Sequence, residues 1–166
     1  AILIMLQMFI SYSLDGFAQA AEVLIGNEFS KKNKNKIIKI AISSTIISFI
    51  FAIIYFLIFY LFIDNIIILM TSINSVIIET QNYALWIIVS PLISFLSFQM
   101  DGIFIGANKT RMMRNTVIIS FIIFIISLCI LVPIYENNGL WLSFILFLFL
   151  RGVLLVIKFK EIYNFN

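Results

Sequence analysis

Two acidic residues lie within long apolar stretches of the chain, each followed by glycine: Asp15-Gly16 and Asp101-Gly102. A carboxylate at membrane depth is costly and is usually kept for handling ions or substrates. Asp15, Gln19, Glu22 and Gly26 are spaced four, three and four apart, which places them on one helical face. Two carboxylates about two turns apart suit oxygen coordination of a hard cation, or proton carriage if desolvation brings a carboxyl group near the working pH. Such a stripe is expected to line a protein interior or a wet cavity, with Gly16, Ala18, Ala20 and Ala21 admitting a neighbouring backbone. Ser90, Ser94, Ser97 and Asp101 repeat the spacing on a second segment, where Pro91 interrupts the backbone ladder and Gly102 and Gly106 form a GxxxG pair.

The elements that hold these residues are spanning helices. Of 166 residues, 63% are hydrophobic and 11% charged. The mean hydropathy is +1.13, well outside soluble composition. Windows of about 20 apolar residues predict five spans, at 2–29, 37–62, 83–107, 116–133 and 140–157. The segment 64–82 turns from apolar to polar and reads as a loop with an interfacial helix. The expected fold is thus an all-α membrane protein.

Charge placement sets an orientation. Ten of the eleven basic residues fall in the connections 30–39 and 108–115 and in the tail at Lys158 and Lys160, all on one side if the helices alternate. The other side carries Asp64, Glu79 and Glu136. Positive residues mark cytoplasmic loops, so the C-terminus is expected in the cytoplasm. Arg151 is the remaining cation: it either snorkels to the interface or pairs with an acidic residue. Glu28 reads as an interfacial charge, and Trp86 and Trp141 as interface anchors.

Several classes are disfavoured. With no histidine and one cysteine, zinc, haem and disulfide chemistry have no residues to use. The basic residues cap apolar helices and form no exposed stripe, so nucleic acid is not an expected partner. The chain begins at Ala1 inside an apolar run and is expected to start partway through a larger protein.

Three motifs carry a family resemblance. LDGFAQAAEVLIGNEFSKKN at 14–33 resembles the eighth transmembrane helix of multidrug and toxic compound extrusion (MATE) transporters, in the branch named for DNA-damage-inducible protein F. MDGIFIGANKTRMMRN at 100–115 resembles the end of the tenth helix and the loop that follows. GLWLSFILFLFLRGVLL at 139–155 is similar to the twelfth. The resemblance implies five helices of a C-terminal six-helix lobe, with the N-terminal lobe of the same protein as a missing partner. It further implies a secondary antiporter in the inner membrane, exporting small organic cations in exchange for protons or sodium, with no cofactor beyond that coupling ion and no enzymatic activity. By resemblance, Asp101 falls where many members carry an acidic residue in the C-lobe cation site, and Asp15 belongs to this branch's DGFA motif. The N-lobe aspartate used for proton coupling in this branch has no counterpart here. The expected cation and substrate residues are therefore Asp101, Asp15, Gln19 and Glu22. A lipid-linked oligosaccharide flippase of the same superfamily and a non-transporting membrane subunit are the alternatives.

Overall fold

The computed structural model describes residues 1–163. Its helices are α1 (Ile2–Ser30), α2 (Lys34–Met70), α3 (Asn74–Asn82), α4 (Ala84–Gly106) and α5 (Thr110–Ile157), followed by a short 3₁₀ helix at Phe159–Tyr163. α1, α2, α4 and α5 are each long and apolar enough to cross a membrane. α5 is two arms. Glu136 breaks it with a non-helical backbone (φ 50°, ψ −126°). Gly139 then packs on the Leu131 carbonyl, and the rings of Phe124 and Phe147 meet at 5.8 Å. An unbroken helix would separate residues 124 and 147 by roughly 34 Å, so the arms 110–135 and 137–157 fold back on each other. The chain reverses at Glu136; Pro133, where the fourth span was predicted to end, is still inside the first arm.

α4 is the axis of the molecule. It packs against α1, α2 and α5, and it is the most buried of the spanning helices. Its glycines explain the closest approach. A Cβ at Gly102 would overlap the backbone carbonyl of Ala18, and one at Gly106 would fall 3.0 Å from Glu22 Cα. The GxxxG pair of α4 therefore seats directly on the α1 backbone, as small residues do in membrane helices. On α1, Ala18 and Ala21 are buried in this contact. Gly16 and Ala20 do not share it: Ala20 is exposed and Gly16 has no atoms within 4 Å of a Cβ position.

α2 corrects the sequence reading. It runs to Met70, so residues 64–70 are helix and not loop, and only Asn74–Asn82 forms a separate short helix. At 37 residues, α2 is roughly 55 Å long, well beyond a hydrocarbon core of about 30 Å. Composition marks where apolar sequence ends; a helix continues while its backbone bonds do. Here they stop where Thr71 turns extended. Gln81 donates to Asp64 at 2.9 Å, tying α3 back to the end of α2. At the other end, Asn33 caps α2, and Glu28 pairs with Lys31 at 2.9 Å and Lys36 at 3.8 Å.

The core has two parts. One gathers Leu3, Leu6, Ile10, Leu14, Phe59, Ile63 and Ile87 with Trp141; the other gathers Ala21, Ile25, Ile37, Ile103, Phe104 and Leu155. Trp141 is 7% exposed and stands edge-on to Phe144, so it is a core residue and not an interface anchor. Trp86 is half-buried and donates its indole N–H to Asn138 at 3.0 Å, bracing the reversal of α5. The outward faces of α2 and α5 remain apolar, including Ile46, Ile50, Leu61, Ile122 and Ile126, as a lipid-facing surface requires.

Candidate functional site

The polar stripe of α4 is buried. Ser90, Ser94 and Ser97 are fully enclosed and Asp101 is 7% exposed. All four share the face set by their spacing, and α4's central position encloses that face. Ser97 returns its hydroxyl to the Ser94 carbonyl at 2.8 Å, the local bond such serines often make. Ser90 instead reaches across to α1 and donates to Gln7 Oε1 at 2.5 Å. The Ser94 hydroxyl has no partner among the described residues.

Asp101 meets Arg151. An Arg151 Nη2 donates to Asp101 Oδ2 across the α4–α5 interface, so pairing, not snorkelling, describes Arg151. Gly152 makes the approach possible, since a Cβ there would lie 3.0 Å from the Ser97 backbone nitrogen. The pair is incomplete on both sides. Asp101 Oδ1 and Arg151 Nε are buried and lack hydrogen-bond partners among the described residues.

The α1 stripe lies differently. Asp15 and Glu22 are half-buried and Gln19 is exposed. The face that α1 turns inward is Ile10, Leu14, Ala18, Ala21 and Ile25. That face is displaced by one residue, about 100° around the helix, from Asp15, Gln19, Glu22 and Gly26. The polar stripe therefore flanks the α1–α4 interface and stays open on one side; within this lobe it lines no enclosed interior. Gln19 donates to Asp15 Oδ2 at 3.1 Å. Asp15 lies one turn before Ala18, the residue whose carbonyl seats Gly102. Glu22 contributes its backbone to the Gly106 contact, while its carboxylate has no ion pair among the described residues. The structure thus brings together Asp101 and Arg151, and leaves Asp15, Gln19 and Glu22 along the edge of the α1–α4 contact.

Two buried amides escaped the sequence reading. Gln7 holds Ser90, and Gln99 donates to Ser44 Oγ on α2 at 2.7 Å. Gln99 lies two residues from both Ser97 and Asp101, off their face, and Gln7 is followed by three apolar residues; only the helix that packs opposite shows the use of each. Among the described residues no cluster of histidine, cysteine or acidic side chains fits a metal ion. The roomier cavity, about 670 Å³, lies at the other end of the lobe between α1, α3 and the two arms of α5, with Gln7, Glu79, Tyr83 and Trp141 on its wall.

Comparison with known proteins decides the family. The MatE family model matches residues 1–131. The chain belongs to the MatE family. It is 31% identical over 153 residues to DNA damage-inducible protein F of Escherichia coli (strain K12), covering 92% of this chain and 33% of that protein. Its fold matches the crystal structure of the eukaryotic MATE transporter AtDTX14 with a TM-score of 0.87 at 16% identity, over 96% of this chain and 36% of that one. The chain thus spans about a third of the length of the relatives it matches. Members of the family are transporters and not enzymes, and the apolar helices of this chain make it a multi-pass membrane protein.

Proposed function

We propose that the chain forms most of one lobe of a MATE-type secondary antiporter, which exports small organic cations in exchange for protons or sodium. Its partner in that activity is an N-terminal lobe of the same protein, and the coupling ion is the only non-protein group required. The observation that carries this reading is Asp101: a carboxylate 7% exposed on the most buried spanning helix, with one oxygen still unpartnered. A buried charge retained at such a site is available to a proton or a cation that completes it. Asp15, bonded to Gln19 on the neighbouring helix α1, supplies a second carboxylate, and Gln19 and Glu22 extend the polar margin. Ion binding here and drug binding in a cavity between the lobes exclude one another as the lobes rock between inward-open and outward-open states. The placement of basic residues supports a cytoplasmic C-terminus in an inner-membrane protein.

The test is Asp101→Asn in the full-length transporter, reconstituted in liposomes with an imposed pH or sodium gradient. Gradient-driven efflux of an organic cation is expected to fall at least tenfold while the protein stays folded. Efflux that remains fully coupled in the variant rejects the assignment.

A further inference from the structure

Arg151 is the one basic residue outside the cytoplasmic-side clusters, and the reading above gives it no task. Its geometry is unusual for a purely structural pair. A guanidinium offers five donors in a planar fork that matches a carboxylate in two parallel bonds. Here a single Nη2–Oδ2 bond forms, and Asp101 Oδ1 and Arg151 Nε are left buried and unsatisfied. Gly152 holds the second arm of α5 against the Ser97 backbone, so the guanidinium reaches Asp101 from α5. Gly102, seated on the Ala18 carbonyl, brings α1 and Asp15 from another side. The remaining neighbour, α2, has as its only ionisable side chains Lys34, Lys36 and Lys39 near its start and Asp64 and Tyr55 and Tyr60 further along.

We propose, resting on the antiporter reading, that Arg151 is a built-in counter-cation that competes with the coupling ion for Asp101. With the site empty, Arg151 neutralises the buried carboxylate. When a proton or sodium ion takes the carboxylate, the guanidinium bond loosens and the second arm of α5 is freed from α4. The competition keeps ion binding reversible, because the departing ion is replaced by a tethered charge and not by an unpaired carboxylate. Arg151 is then a positioning residue that sets ion affinity.

The experiment uses the full-length transporter, with intrinsic tryptophan fluorescence titrated by sodium chloride at fixed pH and, separately, by pH without sodium. In Arg151→Gln the competitor is gone, and the ion concentration for half-maximal response is expected to fall at least tenfold for the ion that drives transport, while efflux slows because release is impaired. Arg151→Lys keeps the charge, and with it the fold, but offers a more strongly hydrated point charge; its affinity is expected between the other two. Ion affinity within twofold of wild type in whichever variant folds overturns the proposal, and so does weaker ion binding, which marks Arg151 as scaffold alone. Asp101→Asn, run alongside, separates the two ideas. An intact ion response there rejects the antiporter site itself; a lost response with unmoved Arg151 variants rejects only the competition.

Discussion

Gly102→Ala adds one methyl group at the point where α4 crosses α1. That Cβ would lie 2.9 Å from Ala18 Cα and nearer still to its carbonyl carbon and oxygen. Carbon atoms pack best at about 3.5–4.0 Å, so the helices must part by roughly an ångström. Ala18 opposes with backbone, which cannot swing aside like the end of a side chain. A radial gap of about 0.5–1 Å forfeits a quarter to a half of each dispersion contact across it, and the neighbouring Gly106–Glu22 contact opens with it. Overpacking of this type costs about 1–3 kcal/mol, and the backbone opposition places Gly102→Ala at the upper end. Gly16→Ala is the matched control. It makes the same chemical change on the same pair of helices, where no atom lies within 4 Å, and helix propensity alone favours it by up to about 1 kcal/mol. Unfolding of the full-length protein in detergent, followed by circular dichroism against temperature or denaturant, reads both. Gly102→Ala is expected to lose about 2–3 kcal/mol and Gly16→Ala to lose nothing. Equal stability of Gly102→Ala and wild type, or equal losses in both variants, refutes the account of α1–α4 packing.

Two further predictions rest on other contacts. Gln7→Leu strips the partner from the buried Ser90 hydroxyl, and an orphaned buried donor costs about 1–3 kcal/mol; adding Ser90→Ala should recover part of that loss in a double-mutant cycle, and purely additive losses would show that the bond is not coupled. Glu136→Gly relieves a non-glycine residue held at φ 50°, ψ −126°, a conformation natural to glycine at the first central position of a type II′ turn. It should raise stability by about 1 kcal/mol, and a destabilised variant would place the reversal of α5 elsewhere.

Much of the lobe was legible in the sequence because its signals are local. Apolar length marked every spanning segment, and the spacing of Ser90, Ser94, Ser97 and Asp101 marked a face that proves buried. The GxxxG pair at Gly102 and Gly106 announced a close approach, and α1 makes it. The same periodicity could not orient α1. It grouped Asp15, Gln19 and Glu22 on one face, yet says nothing about which way a helix is turned, and the structure turns the adjacent Ala18–Ala21 face inward. Trp141 shows the same limit: its position near a helix end suggested an interface, and packing against Phe144 buries it.

Residue type and spacing by themselves determined that this chain is helical, lives in a membrane and carries carboxylates at depth, since hydropathy and helical period are properties of single segments. Only the tertiary structure decided which of those carboxylates is enclosed and what faces it. Arg151 and Asp101 are fifty residues apart on different helices. Their meeting depends on how closely α5 approaches α4, and one glycine contact, Gly152 on the Ser97 backbone, sets that distance. Partners of this kind are fixed by the crossing of helices, which no single segment encodes.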